Sequence, residues 1–77
     1  MSTAQTIRAL LEAHVEPPLD DARELDLASF VVVVLAEALE ERFEFQVKAT
    51  ELVPENFSSI ARLAAYVDRK VAERGAP

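Results

Sequence analysis

The chain has no cysteine among its 77 residues. That absence excludes disulfides, thiolate metal sites and thiol catalysis, and it fits a reducing compartment. Histidine occurs once, as His14. No Ser/His/Asp arrangement can be assembled around it, and no histidine or aspartate is spaced to complete a metal shell from the carboxylates. No apolar run reaches the length of a membrane span. The opening Ser2-Thr3-Ala4-Gln5 has neither the basic nor the apolar region of a signal peptide, so the cytosol is the expected compartment. Basic residues are scarce, eight against fourteen acids for a net charge of −6. That balance argues against nucleic acid, whose partners carry a basic patch. A chain this short buries roughly 60% of its unfolded surface. It makes one domain, residues 1–77, with a small core and little room for an active-site cleft, and no enzymatic activity is expected of it.

The charge is placed unevenly. Residues 20–44 hold eight acids (Asp20, Asp21, Glu24, Asp26, Glu37, Glu40, Glu41, Glu44) against Arg23 and Arg42, a net of −6. The remaining 52 residues balance six acids with six bases. Such a concentration steers basic partners. In the middle of it, at the start of an apolar stretch, stands Ser29.

The periodicity predicts three amphipathic helices and a short turn. Ile7, Leu10, Leu11, His14 and Val15 follow helical spacing, with Ser2-Thr3-Ala4-Gln5 as a capping box and Pro17-Pro18 as the stop. This places a first helix near 3–14, with His14 packing at its end or complementing its dipole. Residues 16–27 read as an acidic loop. Val31 to Val34 favour a strand by propensity alone, yet the run continues into Leu35-Ala36-Glu37-Ala38-Leu39-Glu40-Glu41-Arg42, nearly all strong helix formers. Fifteen residues without Gly or Pro suit a helix better, near 29–42, with Phe30, Val33, Ala36, Leu39 and Phe43 inward. Phe45, Val47 and Leu52 lie in a short connection. Pro54 suits the first position of a turn at 54–57. Ser58 is the expected N-cap of a last helix near 59–73, with Ile60, Leu63, Ala64, Val67 and Val71 on one face. Phe30, Phe43, Phe45, Phe57 and Tyr66 read as core or core-edge residues, and Gly75-Ala76-Pro77 as a frayed end. The fold class is all-α, a small bundle of three main helices plus one short helix.

Over essentially its whole length the chain resembles the acyl and peptidyl (aminoacyl) carrier proteins. Ser29-Phe30, then Val33, Leu35, Leu39-Glu40-Glu41 and Phe43, matches their pattern of a serine, an apolar residue, and a phenylalanine fourteen positions on that closes an acidic helix. Val53-Pro54-Glu55-Asn56-Phe57-Ser58-Ser59-Ile60 is similar to the junction between their third and fourth helices. The resemblance implies that Ser29 receives 4′-phosphopantetheine from coenzyme A, through attack of its hydroxyl on the β-phosphate in a transferase that supplies Mg²⁺. The arm then holds acyl or aminoacyl groups as thioesters for fatty-acid, polyketide or related secondary-metabolite biosynthesis. Implied partners are a phosphopantetheinyl transferase, a loading ligase or acyltransferase, and condensing or modifying enzymes, met by a monomer without a membrane span.

Two positions depart from the family pattern. Ala28 stands where an aspartate usually precedes the serine, and Asp26 is the nearest acid that can substitute. Val34 stands where an acid is common, five residues past the serine. The expected partner surface is therefore mixed: Asp26, Phe30, Val31 and Val34 near the serine, with Glu37, Glu40 and Glu41 further along the helix. Two plainer readings stay open. Ser29 also suits the N-cap of its helix, and a carrier-like bundle that never takes the arm would still dock partners through the same acidic helix.

Overall fold

Ser2 starts the first helix as its spacing predicts. Its hydroxyl accepts the Gln5 backbone N–H at 3.2 Å, and the Gln5 side chain accepts the Ser2 N–H at 2.9 Å. In the computed structural model, which describes residues 2–17 and 19–74, this helix is α1, Thr3–Leu11. It closes three residues earlier than expected. The Leu11 carbonyl accepts the N–H groups of both His14 and Val15 at 2.8 Å, so the chain turns before the prolines. His14 is consequently exposed beyond the helix rather than packed at its end, while Val15 folds back against the core.

The central helix α2 is Ser29–Phe43. The four valines are helical because the strong helix formers after them set the conformation and one face of the whole segment is buried, which overrides their β preference. Its rotation differs from the expected one. Val31, Leu35, Ala36 and Leu39 are buried, whereas Phe30 is 69% and Val33 47% exposed. The inward set is therefore led by Val31 and Leu35, and Phe30 is a surface residue. Ala36, Leu39 and the partly buried Phe43 belong to the core as expected. The helix ends with Glu44 in the left-handed region, φ 56°. Arg74 donates to the Phe43 and Glu44 carbonyls there, covering acceptors that a helix end leaves unpaired.

A 3₁₀ turn, Ala49–Glu51, lies in the short connection after α2. The short helix α3, Pro54–Phe57, has Pro54 at its first position as anticipated. The last helix, α4, is Ile60–Arg74. Its cap is Ser59 rather than Ser58, since the Ser59 hydroxyl accepts the Arg62 N–H at 3.1 Å. Gly75, Ala76 and Pro77, read from the sequence as a frayed end, lie outside the described residues.

Helix α4 is the element on which the others converge, packing against α1, α2 and α3. Ile60, Leu63, Tyr66 and Val67 are buried against Ile7 and Leu11 of α1, Leu35, Ala36 and Leu39 of α2, and Phe57 of α3. Each such aliphatic side chain contributes about 1.5–3 kcal/mol relative to exposure. The long loop joins the core through Leu19 and Leu25. It is also stitched to α4 and its approach: the Asp21 carbonyl accepts the Ala61 N–H at 3.0 Å, and the Leu25 N–H donates to the Ser58 carbonyl at 2.6 Å. These bonds fix where the loop delivers residue 28 to the start of α2. Among the described residues the architecture is the expected all-helical bundle, three main helices and one short one.

Candidate functional site

Helix α2 begins without a side-chain cap. Ala28 takes the N-cap position in an extended conformation (φ −65°, ψ 152°), and its carbonyl accepts the Val31 and Val32 N–H groups at 3.0 and 3.1 Å. Ser29 is therefore the first helical residue and not the cap, which corrects the plainer reading of it. Its side chain is left available, and the residue is exposed.

Beside Ser29 runs a groove of about 500 Å³. The loop supplies Asp26 and Leu27 to it, α2 supplies Val32 and Val33, and the connection through α3 supplies Pro54 and Phe57. The groove is mostly apolar, with the exposed Glu24 and Asp26 on the loop side. Leu52, Val53 and Ser58 also line it. Nothing local to Ser29 in the sequence points to them, because the fold brings them there across more than twenty positions.

The acidic face is only partly as expected. Glu37 and Glu41 are exposed along α2, as is Val34, at 43%. Val31, expected on the partner surface, is buried at 7% exposure. Its place beside the serine is taken by Phe30 and Val33. Glu40 is turned to a structural use, its carboxylate accepting the Val47 N–H at 2.9 Å and holding the connection against α2. From its start, the outer face of α2 thus runs from a hydroxyl through an apolar patch to free carboxylates. Among the described residues no set of three or more His, Asp or Glu is placed to hold a metal ion, and no helix is long and apolar enough to cross a membrane.

A phosphate ester fits this serine on electrostatic grounds. The first turn of α2 carries no acidic side chain and no cap, so a phosphodiester on its first residue meets the positive end of the helix dipole without a competing carboxylate in that turn. A small all-helical bundle with an accessible serine at the head of its central helix has the architecture of a carrier domain. The chain matches the family model described as the phosphopantetheine attachment site over residues 3–67, and it belongs to that family. Its prosthetic group is 4′-phosphopantetheine, and the protein is a phosphopantetheine-bearing carrier. No curated protein and no solved structure matches it.

Proposed function

We propose that Ser29 supplies the oxygen to which 4′-phosphopantetheine is attached, and that residues 1–77 form one domain carrying acyl or aminoacyl groups. The assembly it serves is that of fatty acids, polyketides or related secondary metabolites. The observation that supports this most directly is the exposure of Ser29 as the first residue of α2, inside the matched span. When bound, the group supplies a terminal thiol that holds cargo as a thioester. The chain's own residues anchor, orient and present. Ser29 contributes the ester oxygen, and the uncapped helix start favours the phosphate charge. Tethering gives the cargo a high effective concentration at each partner's active site.

The partner surface in this reading is Asp26, Phe30, Val33, Val34, Glu37 and Glu41. An apolar patch next to the attachment point excludes water on docking, and the carboxylates steer a basic partner into register without demanding tight binding. The partners are a phosphopantetheinyl transferase, a loading ligase or acyltransferase, and condensing or modifying enzymes. They perform the catalysis, and a monomeric cytosolic carrier needs none of its own.

Ala28, in place of the family's usual aspartate, favours one second reading: a carrier-like interaction module that is not modified. Incubation with coenzyme A, Mg²⁺ and a broad-specificity transferase, followed by intact-mass measurement, separates the two. A gain of one phosphopantetheinyl group that disappears in Ser29→Ala is the expected result. An unchanged mass in the native chain leaves the module.

A further inference from the structure

Glu51 ends the 3₁₀ turn, directly before the groove residues Leu52, Val53 and Pro54, and it is more heavily bonded than any other carboxylate among the described residues. One carboxylate oxygen accepts the Lys48 backbone N–H at 2.9 Å and the Tyr66 hydroxyl at 3.0 Å, and the other accepts the Lys70 ammonium at 3.0 Å. Its main-chain carbonyl accepts the Asn56 side-chain amide at 2.9 Å. Burial opposes its ionisation, but the bonds from Lys48, Lys70 and Tyr66 outweigh that and hold its carboxyl below the ordinary range. Lys70 is only 13% exposed, so this pair is far better shielded than the surface bridge between Arg74 and Glu44 at 3.9 Å.

What these bonds hold is the groove. Leu52, Val53 and Pro54, directly after Glu51, line it, and so does Phe57. Tyr66, which grips Glu51, also stacks its ring at 5.8 Å from Phe57 and edge-on at 6.0 Å to Phe45. A single residue of α4 therefore contacts the groove wall at one end and the carboxylate that anchors that wall at the other. We propose that Glu51 is a positioning residue, a latch whose carboxylate, gripped by Tyr66 and Lys70, fastens residues 49–57 to α4 and sets the width of the groove beside Ser29. Undoing the latch frees the wall while leaving the α1–α2–α4 core intact. The significance of the groove rests on the carrier reading; the latch itself does not.

The test uses the unmodified full chain and amide hydrogen exchange followed by NMR. In Glu51→Gln, protection at the hydrogen-bonded amides of Leu52, Asn56, Phe57 and Ser58 falls about tenfold, while Leu39 and Leu63 keep theirs. Tyr66→Phe produces the same local pattern. The double variant loses no more than the larger single loss, as expected of groups sharing one contact. A second readout is acid titration. The groups around Glu51 are Lys48, Tyr66, Lys70, the Arg69 guanidinium over the Tyr66 ring, and Glu40 across from α2. Of these only the carboxylates change charge in acid. The fastening is present above the lowered Glu51 value and lost as pH falls through it. The Leu52 amide shift accordingly shows a step in acid that is kept in Glu40→Gln and lost in Glu51→Gln. Unchanged protection in Glu51→Gln, a uniform loss over all helices, or titration that survives the substitution overturns the latch. Nothing is attached during the experiment, so such a failure leaves Ser29 untouched, and an unmodifiable Ser29 leaves the latch measured.

Discussion

Ala28 and Ser29 show how much depends on a single position at a helix start. Ala28 already has the extended backbone of an N-cap but no oxygen to use there. Ala28→Asp adds that acceptor and is expected to raise stability by about 1 kcal/mol, visible as a rise in Tm of about 4–8 °C. The same change introduces the acid that carrier proteins usually place before the serine, and modification of Ser29 by a transferase, followed by intact mass over time, is expected to accelerate. A melting curve that does not move shows that the new carboxylate fails to reach the helix amides. Tyr66 makes a second residue-scale case. Burial, then its bond to Glu51, pushes its phenol well above the usual value. A raised value means that the folded chain keeps the proton which the unfolded chain gives up. Its contribution is therefore complete below about pH 10 and is lost as pH rises beyond it. Urea melts at pH 8 and pH 11 should show this loss in the native chain, and a smaller one in Tyr66→Phe.

At the scale of the element, α2 divides into an inner and an outer face that the residue types do not announce. Four consecutive valines present apolar surface at every angle, so the phase depends on which neighbours find a cavity. Val31 and Leu35 do, and Phe30 and Val33 do not. Substitutions on the two faces should behave oppositely. Phe30→Ala is expected to change stability by less than about 0.5 kcal/mol while weakening productive docking, read as a raised KM of a partner enzyme for the carrier. Leu39→Ala, at 0% exposure, is expected to cost about 2–5 kcal/mol. Equal stability costs would show that the assigned rotation is wrong. Glu41→Lys reverses a free carboxylate on the outer face. Partner turnover should slow and its dependence on salt should flatten; an unchanged rate and salt response removes Glu41 from the docking surface.

The whole molecule is organised around α4. Its buried stripe gathers the other three helices and Leu19 and Leu25 of the long loop, and its N-terminus is capped by Ser59 and covered by that loop at Asp21. Small domains hold only about 5–15 kcal/mol in total, so one cavity in this hub consumes a large share. Leu63→Ala is expected to lose about 2–5 kcal/mol and to abolish cooperative unfolding at 37 °C, measured by calorimetry. Full retention of the transition would show that α4 is not the hub. Most of the acidic excess lies outside this core, on the loop and on α2, with Glu40 and Asp21 bonded within the fold. In the proposed reading its exposed members steer approaching partners, an effect that weakens with salt.

The sequence alone determined the helix count and order, the capping box at Ser2, the place of Pro54, and Ser29 as the residue worth watching. These follow from local chemistry: periodic spacing, cap geometry and proline's missing donor all act within a few residues. Tertiary structure alone decided the rotation of α2, the early close of α1, the choice of Ser59 over Ser58 as cap, and the inward use of Glu40. It also built the groove and the Glu51–Tyr66–Lys70 latch. Those depend on which surfaces meet across the bundle, and a chain whose central helix is apolar all round at its start leaves that choice to packing.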